Sequence, residues 1–512
     1  MELELKKHHF DTYETAAELT LTQEESAETI VPDYCPDIAR IIGTEGCVCV
    51  HSRDLKEGRG TVSGTVRVTV LYVPEGEGGI RPLHFSMPFT AESEGKTLAE
   101  CSHFTALAET ETLETRILNP RKVFTHCKLV MRLTGYRRVQ LTVCSDAAAA
   151  PELSVEKRQE RQTAILLSHI SEKDFTFSED TSLPANRSGA AEILHSSITC
   201  SAAEGKIVGS KLIFKGSFLL HLLYRTQDGT YGSHYGELPF SQIMEADGVS
   251  ENASAQMRLQ LTGSDVQIDG GDPEGRDFSV TLYVHATALL RQEQELTLLH
   301  DLYSTNHELT YDAEPMSFTA FYDSLVRRQA VREVLEIGVE ASSILSVRAS
   351  CGPVSVAAEG SGTMLRTFVT VRALYLDEGG TPLITERTME VSCPADLSPE
   401  CRAAVRAVCS SEIQAVLTDR GIEVRFSVDF HVEESRLSKK LCIRSVRIDT
   451  DTIRDSSGTP SLVLRYFGAG NSFWDLAKRY NTTIDTILRA NQLETEADVS
   501  SEKLLLIPRK RA

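Results

Sequence analysis

The chain holds one tryptophan, Trp474, in 512 residues. It has no apolar run approaching the roughly 18 uninterrupted residues of a membrane span. Its start, MELELKKHHFDTYETAAEL, carries neither the apolar stretch nor the small-residue cleavage site of a secretion signal. A protein that stays in the cytoplasm where it is made is expected. An excess of basic charge is also missing. Formal net charge is −20, so the whole molecule repels nucleic acid and anionic lipid, and neither is expected as a partner. No G-x-x-x-x-G-K-[ST] phosphate loop, H-E-x-x-H zinc helix or G-x-S-x-G nucleophile elbow occurs. No catalytic residue, metal or cofactor is therefore expected, and the chain reads as a non-enzyme.

Several features invite chemistry and are better read as structure. The twelve cysteines are spread over a chain long enough to build its own cores, which suits reduced packing residues more than a disulfide framework. Cys47 and Cys49 form a C-x-C that puts both thiols on one face of a strand, without the further ligands of a zinc site. DGGDPEGRD (269–277) is rich in oxygens but lacks the spaced ligands of a calcium loop, and reads as a hairpin turn. GSGT (360–363) reads as a turn, and His8–His9 as part of a solvated terminus.

What the sequence does contain is one pattern three times. TVRVTVLYVPEGEGG (65–79), SFLLHLLYRTQDG (217–229) and FVTVRALYLDEGG (368–380) each alternate apolar residues up to a tyrosine and then enter a glycine-bearing acidic turn. Alternation predicts a strand with one buried face, and the turn predicts a hairpin. Tyr72, Tyr224 and Tyr375 lie 152 and 151 residues apart. A second anchor recurs downstream in THCKLVM (125–131), FSVTLYV (278–284) and FSVDFHV (426–432). Upstream, PDIARII (36–42), GAAEILH (189–195) and AVREVLEI (330–337) have apolar spacing suggestive of short helices.

The expected fold is multi-domain and mainly β. Three sandwich-like units with a short accessory helix, at 1–153, 154–310 and 311–453, precede a linker at 454–461.

The last segment, 462–512, changes to strand, helix, helix, strand. Ser472 and Asp475 approximate a capping box. Phe473, Leu476, Ala477 and Tyr480 form the buried stripe of a short helix. Thr483 can cap a second helix, and LLLIP (504–508) ends the module as a strand. Trp474 lies about 100° round the helix from Phe473 and is placed to be half buried. It reads either as a core-edge residue or as a partner anchor. The segment carries eight Lys/Arg against six acids, a charge of +2 where the remainder has −22. That polarity would steer it toward an acidic surface.

The segment resembles a LysM domain, matching at Gly470, Ser472, Trp474, Ala477, Tyr480, Thr483, Leu488, Asn491, Leu493, Leu506, Ile507 and Pro508. Two loops depart from that pattern: Gly470-Asn471-Ser472 stands for Gly-Asp-Thr, and Ser500-Ser501-Glu502 for Pro-Gly-Gln. VPDYCPDIARI (31–41), LNPRKV (118–123), LPANRSGAAEIL (183–194) and, more weakly, YDSLVRRQAVREVL (322–335) resemble SPOCS-domain segments. Together these are similar to the SipL-type spore coat morphogenetic proteins. The resemblance implies a scaffold in the mother cell, recruited to the forespore surface by a SpoIVA-type coat ATPase through its LysM domain. Other coat proteins are implied as partners. Tyr466, Gly470, Asn471, Ser472, Phe473, Trp474, Asn491, Leu493, Ser500 and Ser501 would then be the partner-binding residues. The alternative is a LysM protein that binds N-acetylglucosamine glycan of the cell wall or spore cortex, that is, peptidoglycan.

Overall fold

A computed structural model describes residues 1–76, 78–200, 203–359, 362–409, 412–454, 460–468, 472–498 and 503–509, with Lys503 described in its backbone alone. The first unit runs β1 (Glu4–Ile30), β2 (Ile38–Lys56), β3 (Arg59–Pro74), β4 (Arg81–Glu94), the short α1 (Lys96–Ala99), β5 (His103–Asn119) and β6 (Lys122–Ala148). The second runs β7 (Val155–Ser182), β8 (Ala190–Cys200), β9 (Glu204–Val208), β10 (Lys211–Thr226), β11 (Tyr231–Glu245), β12 (Ser254–Ile268) and β13 (Asp277–Ser304). The third runs β14 (His307–Leu335), β15 (Ala341–Glu359), β16 (Gly362–Asp377), β17 (Pro382–Ala395), β18 (Arg402–Cys409), β19 (Gln414–Thr418) and β20 (Gly421–Ile453). The remainder is β21 (Leu462–Phe467), α2 (Phe473–Arg479), α3 (Ile484–Ala490) and β22 (Lys503–Pro508).

Each β unit has the same plan. Its long first strand pairs antiparallel with its long last strand: β1 with β6, β7 with β13, β14 with β20. A smaller antiparallel layer packs against that pair, built on β2–β3–β4, on β10 with β8 and β11, and on β15–β16–β17. The three repeated segments are the middle strands β3, β10 and β16 of these layers, and each turns through its acidic glycine loop into the next strand. Val66, Val68, Val70 and Tyr72 are buried, as are Phe218, Leu220, Leu222 and Tyr224, and Val369, Val371, Ala373 and Tyr375. The period-two pattern predicts this, because alternate side chains on a strand share a face.

The helix-like segments are strands. PDIARII lies at the start of β2, GAAEILH in β8, and AVREVLEI in the last six residues of the long β14 and the two that follow. In the first two segments β-bulges explain the misleading spacing. In β2 the register with β3 slips between Ile38 and Arg40 and again between Ile41 and Gly43. Each extra residue shifts the inward set by one, so a strand of period two takes on apolar spacings of three and four. Equivalent slips occur in β8, around Ala191 and Leu194, and in β15, around Ser342 and Leu345. The third copy of this feature is thus at 341–346, not at 330–337. Among the described residues of the three units, the accessory helix is reduced to the four-residue α1 of the first.

The bulges have a shared destination. Ile42, Leu194 and Leu345, the bulged residues, meet Leu71, Leu223 and Leu374, each next to a repeat tyrosine, in one buried cluster with Ile80. The three units therefore pack round a common apolar centre. A second shared core forms where the long strands outrun their own sandwiches. Val123–Leu133 of β6 lines the first unit's core, whereas Val143, Cys144 and Ala147 join Leu296, Leu298 and Leu302 of β13 and Cys442, Ile443 and Val446 of β20. The amino terminus completes the circuit, with Leu3 N–H donating to Val446 O at 3.0 Å.

The SPOCS-like motifs act on connections. Arg121 of LNPRKV donates to Cys35 O (2.7 Å) and Val31 O (2.9 Å) and pairs with Asp37 (3.0 Å), pinning the loop of VPDYCPDIARI. In the second unit Gly189 passes so close to Glu274 O that a Cβ there would lie 1.7 Å from it. Only glycine fits that approach.

Candidate functional site

The terminal module forms as its caps predict. Asp475 N–H donates to Ser472 Oγ (3.0 Å), which itself donates to the Asp475 carboxylate (2.6 Å). Thr486 N–H donates to Thr483 Oγ1 (3.1 Å). These bonds satisfy free amides at the starts of α2 and α3. Phe473, Leu476, Ala477, Ile487, Leu505 and Ile507 make the core. Leu493 packs on it half-buried, and Phe473 and Phe467 stand 5.1 Å apart.

Of the two readings of Trp474, the core one fits its burial, which is deeper than the half-buried position expected. The residue is 7% exposed, because the end of β13 covers it. Its ring meets Tyr303 edge-on at 5.0 Å, and its Nε1–H donates to Asp301 Oδ2 at 2.7 Å. Asp301 is a hub: Lys478 Nζ (2.6 Å) and Tyr311 OH (2.9 Å) donate to its other oxygen. Burial works against this carboxylate, but the bonds from Lys478, Trp474 and Tyr311 prevail and hold it below the usual carboxylate range. Around the hub, Tyr303 OH donates to Thr482 O (2.8 Å) and Arg454 Nη1 to Asn481 Oδ1 (2.6 Å). A register slip between Leu299 and Asp301 in β13 aims Asp301 and Tyr303 at the module. The sequence offered no sign of this seat: Asp301, Tyr303 and Tyr311 lie outside every motif.

The other expected contact residues divide. Asn491 works internally: its Nδ2 donates to Ile487 O and Leu506 O (both 2.7 Å), and its Oδ1 accepts from Leu506 N–H (2.8 Å). Phe473 is core. Gly470, Asn471, Ser500 and Ser501 lie outside the described residues. Tyr466 is 54% exposed.

Tyr466 belongs to a surface that sequence reading did not assemble. β21 pairs with β22 so that Leu462 faces Pro508, Leu464 faces Leu506 and Tyr466 faces Leu504. All six lie on the side of the hairpin away from the helices, since Val463, Phe467, Leu505 and Ile507 pack inward. Leu462, Leu464 and Leu504 are 50%, 61% and 55% exposed. Alternation alone could have revealed this, because LVLRYF and LLLIP are apolar on both faces. A half-buried strand would be polar on one.

Comparison with known families agrees with this architecture. A family model described as "SipL, SPOCS domain" matches residues 37–116, and a LysM domain model matches 468–508. The module content is that of a SipL-like protein. The SPOCS match spans β2 to β5, including the bulged strand, and the LysM match takes in both helices and β22. No curated protein and no solved structure matches the chain. SPOCS and LysM are non-catalytic domain families. Their pairing fits a sporulation-related protein with a peptidoglycan-binding-type domain. Among the described residues no helix is long and apolar enough to cross a membrane. DGGDPEGRD is a turn between β12 and β13, where Asp272 accepts from the amides of Glu274 (2.9 Å) and Asp277 (3.0 Å).

Proposed function

We propose that the protein is a non-enzymatic coat scaffold whose LysM module docks onto a SpoIVA-type coat ATPase. The three β units, divided at 1–153, 154–310 and 311–453, supply lateral contacts to other coat proteins at the forespore surface. The single observation that carries this reading is the two-sidedness of the module. One side is fastened to its own chain through Trp474 and Asp301, and the other leaves a leucine and tyrosine face bare. A compact apolar face rimmed by polar groups is the ordinary character of a protein-docking patch. Tyr466 and the neighbouring leucines are the contact residues; Asn471, Ser500 and Ser501 join them on the resemblance alone. The +2 charge of 462–512 favours an acidic partner.

A second reading, peptidoglycan binding, is favoured by the LysM match itself. The deciding experiment compares capture of the full chain by immobilised coat ATPase and by peptidoglycan. The scaffold reading expects ATPase capture that Leu464→Asp abolishes and chitin oligomers leave intact. Peptidoglycan retention released by chitin oligomers, without ATPase capture, would replace it with the glycan reading.

A further inference from the structure

Two thiols in the third unit meet across its two layers. Cys351 lies on β15, an outer strand of the β15–β16–β17 layer, paired with Val369 of β16. Cys409 is the last residue of β18 and pairs with Val428 of β20. The two sulfurs are 3.2 Å apart, although the residues are 58 positions apart in sequence. Both side chains are partly exposed and rest on the core that contains the fully buried Val369 and Val428. A small oxidant can therefore reach them, while their backbones are held by separate sheets.

We propose that Cys351 and Cys409 form a reversible disulfide that ties the two layers of the third unit together, with a low-molecular-weight disulfide as oxidant. A disulfide needs sulfurs about 2.05 Å apart, so they must approach by about 1.2 Å. The fold allows this on both sides. Pairing of β15 with β16 is interrupted directly after Cys351 and resumes at Val354, and β18 ends at Cys409.

The two thiols are also inequivalent. Bonding from the Cys409 thiol, opposed by burial and assisted by the Cys409 backbone, holds Cys351 below the ordinary thiol range. The same bond, then burial, pushes Cys409 up. Cys351 is thus the attacking thiolate. Its sulfur attacks one sulfur of the small disulfide, forming a mixed disulfide and releasing one small thiolate. Cys409 then gives its proton to solvent and attacks the Cys351 sulfur, expelling the second small thiolate. Two protein thiols are oxidised, one small disulfide is reduced, and the released thiolates take up the two protons.

The test incubates the folded full chain with glutathione disulfide, alkylates the remaining thiols and maps the peptides. The expected product joins the Cys351 and Cys409 peptides, two hydrogens lighter than the pair, and raises the urea midpoint of the third unit until dithiothreitol is added. The same treatment in denaturing urea should lose the preference for this pair. In Cys409→Ser, with circular dichroism retained, Cys351 should stop at the glutathione adduct. Recovery of Cys351 and Cys409 as alkylated thiols, or as two separate glutathione adducts in the wild-type chain, would overturn the proposal.

Discussion

Replacing Asp301 by alanine should loosen the terminal module from the body without unfolding either. The carboxylate accepts from Trp474 at 2.7 Å, Lys478 at 2.6 Å and Tyr311 at 2.9 Å, and its side chain is 16% exposed. A bond to a charged, buried acceptor contributes about 1.5–3 kcal/mol. The Lys478 pair is discounted toward the value of about 0–1 kcal/mol for solvated pairs, because the lysine is 37% exposed. The seat should therefore weaken by about 3 kcal/mol, roughly a hundredfold in the ratio of docked to undocked module. Trp474 is the chain's single tryptophan, so its fluorescence reports this event alone. Asp301→Ala should shift Trp474 emission to the red, raise acrylamide quenching and speed proteolysis in the 454–461 segment, with the far-ultraviolet spectrum unchanged. Asp301→Asn should fall between, since an amide oxygen still accepts but the charge is gone. Folding lowers the pKa of this carboxyl, so its contribution is complete above about pH 4 and disappears as pH falls through the lower folded value. Unchanged quenching and cleavage in a folded Asp301→Ala protein would refute the seat.

The shared centre makes a further expectation: Leu223→Asp, which buries an unpaired carboxylate among Ile42, Leu71, Leu345 and Leu374, should separate the three units and enlarge the radius of gyration in X-ray scattering. His195 and His221 are buried and held neutral, by desolvation first and then by Arg348, with His221 pushed down to about 3. The groups around them include His84, His234 and Glu45, which pairs with Arg348. The unfolded chain takes up protons below about pH 6.5 while the folded chain does not. Stability should therefore fall on acidification, with a slope for each histidine that rises from about 0.7 kcal/mol per pH unit at pH 6.5 toward about 1.4 below it. His221→Gln should reduce that slope in urea titrations between pH 6.5 and 5, and an identical slope would exclude His221 as a source. Arg121→Ala should cost about 2–3 kcal/mol by freeing the Val31–Asp37 connection, seen as faster amide exchange at Val31 and Ile38.

Much of the fold was legible because strands with one buried face write their period directly into the sequence. β3, β10 and β16 follow from alternation ending at Tyr72, Tyr224 and Tyr375. The caps of α2 and α3 follow from Ser472 and Thr483. Reading failed where a local irregularity changed the period. The bulges beside Ile42 and Leu194 imitate a helix because one inserted residue converts a spacing of two into three. It also failed for contacts between modules. Trp474 was legible as an amphipathic-edge residue, but its cover comes from Asp301 and Tyr303, more than 170 residues away, and no local pattern encodes that distance. The bare hairpin face was legible in principle, since Leu462, Leu464 and Tyr466 alternate with Val463 and Phe467. Tyr466 reads as a contact residue from the resemblance, but Leu462, Leu464 and Leu504 read only as parts of the two strands.

The central claim is that the module faces its own chain with Trp474 and its partner with the outer face of β21 and β22. Its most direct measurement is the affinity of the full chain for the SpoIVA-type ATPase, compared among wild type, Leu464→Asp and Tyr466→Asp, with Trp474 emission recorded on each sample. The account predicts loss of at least about thirtyfold in affinity for both variants, the cost of about 2 kcal/mol at an interface hot spot, with emission unchanged. Wild-type affinity in both variants, with Trp474 still buried, would contradict it.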